Sequence, residues 1–189
     1  RDNGGKVIRS KKHHETGSDR IAEAVEGIDC DIIVNVQGDE PFVTRGPLEN
    51  LISVFSGPDA DRIDLASMVQ QIKNPEFVTD PNYVKVVMDK DNFALYFSRS
   101  PIPYPREKHM DIKYYEHVGV YAFRRQSLLD FARNAQLQNE MAEKIECIRY
   151  LEYGQRIKMV EAPFVSIEVD TPQDLENARK LFKSLHGQA

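Results

Sequence analysis

Apolar runs rich in β-branched residues alternate along this chain with stretches whose apolar positions recur every three or four residues. Residues 6–10, KVIRS, read as a strand, and residues 31–37, DIIVNVQ, as a second. Between them, in GSDRIAEAVEGI (17–28), Ile21, Ala24, Val25 and Ile28 share one helical face, with Ser18 or Asp19 as N-cap candidates. GPLENLISVF (46–55) predicts a helix with Pro47 near its first turn, and DLASMVQQI (64–72) predicts a further strand. Strand and helix alternating in this way are the mark of βαβ units and predict an α/β fold.

The middle of the chain breaks the alternation. YVKVVMD (83–89) and FALYFSRS (93–100), joined by KDN, predict a β-hairpin, and the Pro-rich stretch PIPYPREKHMDIKY leads from it into a strand, EHVGVYAFRR (116–125). An insertion of this kind, over approximately residues 83–116, commonly builds a dimer face or a substrate lid. Phe93, Tyr96 and Phe97 are its candidate exposed aromatics. Helices are then predicted in RQSLLDFARN and MAEKIECIRYLEYG, the second ending at Gly154. Strand IKMVEAP and a last helix, TPQDLENARKLFKSL, complete the pattern.

Composition narrows the classes. The 189 residues, 41% hydrophobic, suffice for one sizeable core, so a single domain over 1–189 is expected. A formal charge of -5, with 25 Lys and Arg scattered among 30 acids, gives no basic footprint for nucleic acid. Cys30 and Cys147 are far apart and outside any CxxC pair, which argues against a disulfide scaffold or zinc module and for reduced thiols in cytoplasm. No apolar run approaches the roughly 18 residues of a membrane span, and no signal peptide opens the chain. A cytoplasmic protein without a membrane partner is the expectation. The chain starts at RDNGGKVIRS, without an initiator Met and at what reads as the edge of a strand, so further residues upstream are expected.

The candidate chemistry sits at strand ends. VNVQGDEPF (34–42) begins as a buried strand and stops on two adjacent acids, Asp39 and Glu40. These make either an ordinary acidic βα turn or a metal-binding mouth, since ligands of open α/β sheets gather beyond the carboxyl ends of the strands. Far downstream IEVDTPQDLE (167–176) again ends an apolar run in an acid, Asp170, before Thr171-Pro172 opens a helix. Asp170 alone reads as a capping residue. Together Asp39 and Asp170 are enough for Mg²⁺, which is usually held by one or two carboxylates plus substrate phosphates.

TGSDR (16–20) is either a plain cap with a surface ion pair or a phosphate or ribose cradle built from free N–H groups, the Ser18 hydroxyl and the Arg20 guanidinium. In HVGVYAFR, alternation places His117, Gly119 and Tyr121 on one face, as a structural pair or as a ligand wall. SRSPIP leaves Arg99 at a strand end, and Glu143 and Glu146 in EKIECIR fall on neighbouring helix positions, where solvated acids are the ordinary outcome.

TGSDRIAEA, IVNVQGDEPF, YVKVVMDKDNFALYFSRSPIPY, HVGVYAFRR, LEYGQRIK and VDTPQDLENAR, in this order and spacing, resemble the 3-deoxy-manno-octulosonate cytidylyltransferases, the CMP-Kdo synthetases of lipopolysaccharide assembly. The resemblance runs from about residue 5 to 182. It implies a Rossmann-like nucleotidyltransferase fold, a mixed sheet flanked by helices with a dimerising hairpin insertion, and Mg²⁺-dependent transfer of CMP from CTP to 3-deoxy-D-manno-octulosonate (Kdo). By the same resemblance Asp39 and Asp170 are the metal-binding and catalytic aspartates. Ser18, Arg20 and Gln37 lie on the nucleotide side, and Gln37, Arg99, His117, Tyr121 and Glu146 line the sugar pocket.

Two departures stand out: the family's N-terminal basic loop for the CTP phosphates, with its flanking strand and helix, is missing, and Cys147 stands where the family often has Gln. The rival readings are a cytidylyltransferase for a related acidic sugar, of amino-octulosonate or sialic-acid type, and a non-catalytic binding domain. A dinucleotide-binding oxidoreductase is disfavoured because no GxGxxG follows an opening strand.

Overall fold

The structure is a computed structural model that describes residues 4–107, 110–162, 169 and 171–187. Among the described residues six strands make one mixed sheet: β1 (Ile32–Val36), β2 (Leu65–Gln71), β3 (Lys85–Met88), β4 (Ala94–Ser98), β5 (Tyr115–Arg124) and β6 (Ile157–Glu161). The path runs β4-β3-β5-β2-β6, with β1 also paired to β5. β2 follows β5 along nearly its whole length, so β1 and β3 share the other edge of β5. β1 takes the half from Val120 to Arg124, and β3 takes the half at Glu116. β6 pairs in parallel beside β2, and the ladders of β1, β3, β4 and β5 are antiparallel.

Pleating sorts the side chains into two cores. Leu65, Val69, Tyr121 and Phe123 face α1 (Gly17–Val25), α4 (Arg125–Phe131) and α6 (Cys147–Glu152), whose Ala22, Leu128, Phe131, Ile148 and Tyr150 fill that layer. Ala66, Met68, Val118, Val120 and Ala122 face the opposite layer, with Leu51 of α2 (Arg45–Ser53) and Ile63. Covered on both faces, β5 is buried almost continuously from Val118 to Phe123, as strands between two helical layers are. Its alternation survives a two-residue slip against β2, where Ser67 opposes Tyr121 and Met68 opposes Val118. Gly119 and Val120 are the extra residues, and Ser67 sits beside them.

Side-chain caps open α1, α3 (Pro75–Thr79) and α7 (Pro172–His186). α1 is capped by Thr16, whose hydroxyl accepts from Asp19 N while the Asp19 carboxylate accepts from Thr16 N. The cap therefore precedes both candidates expected from sequence, Ser18 and Asp19. α7 (Pro172–His186) opens the same way, Thr171 and Asp174 exchanging the two bonds. A short α3 (Pro75–Thr79), capped by Asn74, lies in a stretch with too little periodicity to predict.

Three expectations change. KVIRS forms no strand: Val7 and Ile8 are 59% and 60% exposed, and the segment pairs with no sheet edge among the described residues. The helix expected over 141–154 is two, α5 (Gln138–Glu143) and α6, separated where Lys144 takes a left-handed φ of 55°. The hairpin's aromatics are not displayed to solvent, for Phe93 is 2% and Phe97 0% exposed, and Tyr96 packs partly against the core. Phe93 is enclosed by Arg156, Lys158 and Arg62, whose cationic groups lie 3.9, 4.8 and 4.8 Å from its ring centre, pinning the hairpin turn to β6. Leu95, Tyr104 and Met110 are the large apolar side chains that this region does expose.

Candidate active site

β1 ends at Val36, and Gln37–Glu40 turn away from the sheet with Glu40 N donating to Gln37 O at 3.3 Å. Asp39 is held in that turn by its backbone, its carbonyl accepting from Val169 N at 3.1 Å. Val169 directly precedes Asp170, which lies outside the described residues. The Asp39 Oδ1 atom is buried and has no hydrogen-bond partner among the described residues. A buried carboxylate oxygen is costly to leave unpaired, and a cation is one partner that could satisfy this atom. The Gln37 amide and the buried Glu40 carboxyl lean over Gly119 of β5, within 3.5 and 3.9 Å of where a β-carbon would stand there. The β1 mouth thereby reaches the middle of β5.

On the same face of β5 stand His117 and Tyr121, ring centres 5.5 Å apart. Phe97 meets the His117 ring edge-on at 5.1 Å, and Ser67 Oγ lies 2.8 Å from His117 Nε2. Burial pushes the His117 pKa down to about 4, so the ring is neutral at physiological pH. From the break between α5 and α6 come Glu146 and Cys147. The Glu146 carboxylate accepts from Ser18 Oγ at 2.9 Å and Ser18 N at 3.3 Å. Burial raises its pKa against those bonds, which stabilise the charged form. Cys147 Sγ is 4.0 Å from His117 Nε2, and burial pushes its thiol pKa well up.

Ser18, Glu146, Cys147, His117, Ser67 and Tyr121 thus form one contact chain from the N-terminus of α1 to the sheet. Glu143 and Glu146 are engaged rather than solvated: Glu143 accepts from Ser98 Oγ at 2.7 Å and Arg99 N at 2.9 Å. The left-handed Lys144 lets the two acids, three residues apart, address different elements.

Arg99 stands at the end of β4 with its guanidinium turned to carbonyls, Nε to Glu143 O at 2.7 Å, Nη1 to Pro81 O at 2.9 Å and Nη2 to Lys144 O at 3.4 Å. It clamps the helix break to the loop before β3. Lys85, fully buried, holds the same loop through Asp80 O and Tyr83 O. Arg20 is exposed on α1, away from these bonds. Arg149 of α6 fixes the geometry between α1 and α6, meeting Glu140 with two 2.7 Å bonds and Asp19 with one of 3.1 Å.

Ser67 belongs to this site although its local sequence carries no signal for it. Ser67 reads as an inward strand position, and only its pairing with β5 reveals the His117 contact.

The depressed His117 pKa has a consequence for stability. A neutral folded-state ring means that the unfolded chain binds the proton more readily between its ordinary value near 6.5 and the folded value near 4. The contribution is fully present above pH ~6.5 and is lost as pH falls toward ~4. Urea denaturation between pH 7 and 4.5 is expected to show a shallower acid loss in His117→Gln than in the wild type. Identical slopes would contradict a buried neutral ring.

Comparison with known proteins places this chain in a class. Residues 1–157 match the cytidylyltransferase family. The 3-deoxy-manno-octulosonate cytidylyltransferase of Christiangramia forsetii is 59% identical over 94% of this chain and 72% of its own length. That of Flavobacterium johnsoniae is 56% identical over 97% of this chain and 75% of its own. A solved structure of CMP:2-keto-3-deoxy-manno-octonic acid synthetase complexed with CTP superimposes with a TM-score of 0.88 at 36% identity, covering 97% of this chain and 75% of that one. The 4-diphosphocytidyl-2C-methyl-D-erythritol synthase of Anaerococcus prevotii, at TM-score 0.53 and 13% identity, shares the fold alone. The chain belongs to the 3-deoxy-manno-octulosonate cytidylyltransferase family.

Proposed function

We propose that this chain, as one nucleotidyltransferase domain, transfers CMP from CTP to Kdo and releases pyrophosphate, the Kdo hydroxyl attacking the α-phosphorus. The observation that carries the reading is the 59% identity to a protein of that name over 94% of the chain. The same chemistry suits the unpaired, buried Asp39 oxygen at the mouth of β1.

Asp39 and Asp170 are the residues that would hold Mg²⁺. The donor set fits: one Asp39 carboxylate oxygen lacks any partner among the described residues, and Val169, which bonds Asp39, is the sequence neighbour of Asp170. When bound, the ion would neutralise charge on the triphosphate and ease loss of the hydroxyl proton. The protein's part is positioning. Gln37 would bridge nucleotide and sugar from the β1 turn, and Ser18 and Arg20 would contact the nucleotide from α1, where N–H groups and the guanidinium favour anionic oxygen.

His117, Tyr121 and Glu146 would meet sugar hydroxyls. Glu146 already accepts from Ser18, which couples the two substrates' sides through one carboxylate. Arg99 would take the sugar carboxylate with the N–H groups its three carbonyls leave over. A homodimer across the β3–β4 hairpin is favoured by the position of β4 at the end of the sheet and by exposed Leu95, Tyr104 and Met110. Among the described residues no helix is long and apolar enough to cross a membrane.

Arg99→Lys is expected to raise the sugar KM by about tenfold with the CTP KM unchanged, because Lys keeps the charge but loses the two-bond match to a carboxylate. A raised CTP KM alone would move Arg99 to the nucleotide side. The function itself is tested by pyrophosphate release with CTP and, in turn, Kdo, its amino analogue and a sialic acid. The highest kcat/KM is expected with Kdo; preference for either other sugar would reassign the substrate.

A further inference from the structure

Ser67 lies at the slip between β2 and β5, and its hydroxyl has three neighbours: Val120 O at 2.9 Å, Val118 O at 3.3 Å and His117 Nε2 at 2.8 Å. The hydroxyl has one hydrogen to give. Given to Nε2, it leaves both carbonyls without this donor, and one bond is made. Given to Val120 O, it leaves the Ser67 oxygen free to accept from an Nε2–H, and two bonds are made. Ser67 is 0% exposed, so water cannot restore a missing bond at its hydroxyl.

A third arrangement, with the Ser67 hydrogen on Val120 O and a bare Nε2 accepting from the Cys147 thiol, fails on distance. The sulfur is 4.0 Å away and a weak donor, while two lone pairs would face each other across 2.8 Å. Imidazole can place its proton on either nitrogen, so the partner that cannot adapt, the carbonyl, decides for it.

We propose that Ser67 is a positioning residue that fixes His117 as the tautomer protonated at Nε2, so that Nδ1 meets the substrate sugar as a hydrogen-bond acceptor. The proposal rests on the reading of His117 as part of the sugar-facing wall. Among the described residues nothing bonds Nδ1, and Nε2 is turned inward between Ser67 and Cys147, which are 0% and 1% exposed. Burial keeps the ring from taking a second proton. The wall therefore selects a hydroxyl that donates at this point, and it rejects a carbonyl, ether or carboxylate oxygen placed there.

The test is ¹⁵N-histidine NMR of the protein at neutral pH, with steady-state kinetics on the same samples. The wild type is expected to show the Nε2–H pattern for His117. Ser67→Ala should mix the tautomers and raise the sugar KM about three- to tenfold with the CTP KM unchanged. Ser67→Thr, which keeps the hydroxyl, should restore both. An Nδ1–H pattern in the wild type overturns the proposal, and this result needs no variant to fold. An Nε2–H pattern combined with an unchanged sugar KM in His117→Ala overturns the sugar-facing reading and with it the acceptor role. A CTP KM that rises with the sugar KM in Ser67→Ala would mean general disruption of the sheet and would also count against it.

Discussion

Asp39→Asn is expected to lower kcat by at least about a hundredfold while the melting temperature stays within about 2 °C of the wild type, the two readouts separating charge from fold. The fold is expected to survive because the side-chain oxygen Oδ1 has no partner among the described residues, and the turn is held through the Asp39 carbonyl, which Asn retains. Turnover is lost because an amide is a poor replacement for a carboxylate at a hard cation, and even outer-shell partners of metal ligands cost ten- to a hundredfold when altered. Measured across a Mg²⁺ titration with a parallel thermal melt, a near-normal rate at saturating metal would remove Asp39 from the centre of the site.

The largest stability effect is expected at Arg149. Its side chain is buried together with that of Glu140, it makes two 2.7 Å bonds to that carboxylate, and it lies 3.9 Å over the Phe131 ring. Breaking such a pair from one side strands the other charge, at a cost of about 3–5 kcal/mol. For a chain of this size that corresponds to roughly 6–20 °C in Tm. Arg149→Met should show this loss by calorimetry, and Arg149→Met with Glu140→Met should recover most of it, since the Glu140 charge is then removed together with its partner and Asp19 alone loses a cation. The single variant should also loosen the start of α1, because Arg149 bonds Asp19 of the Thr16 capping box. Equal stability of the single and double variants would contradict the pairing account.

Much of this architecture is written locally. The β1 run DIIVNVQ, the strand DLASMVQQI and the β5 alternation lie within a residue or two of their predicted bounds, because periodicity and turn residues are local signals. Thr171-Pro172 opens α7 as its sequence indicates, through a capping box that spans four residues. What escaped is governed by distant partners. The break at Lys144 follows from Arg99 and Ser98, about 45 residues away in sequence, which draw on the carbonyls and carboxylate of Glu143 and Lys144. No periodicity within EKIECIR records that pull, so the stretch reads as one helix. Phe93 and Phe97 look like an exposed dimer face by composition and are buried because three cations and a core meet them from β6 and elsewhere.

The site divides in the same way. Asp39, His117 and Tyr121 stand out as polar or aromatic residues at a strand mouth or on one strand face, and structure adds that Gln37 and Glu40 lean over Gly119 between the two rings. The Ser18–Glu146 bond joins residues 128 apart, and its importance lies in the α5–α6 break that sequence reading did not foresee.

CMP transfer is read out by ³¹P NMR of the protein with CTP, Kdo and Mg²⁺. The triphosphate signals are expected to disappear only when Kdo is present, replaced by pyrophosphate and a new phosphodiester signal in equal amounts, with neither forming in Asp39→Asn. Loss of CTP at the same rate without Kdo, or release of orthophosphate in place of pyrophosphate, would contradict it.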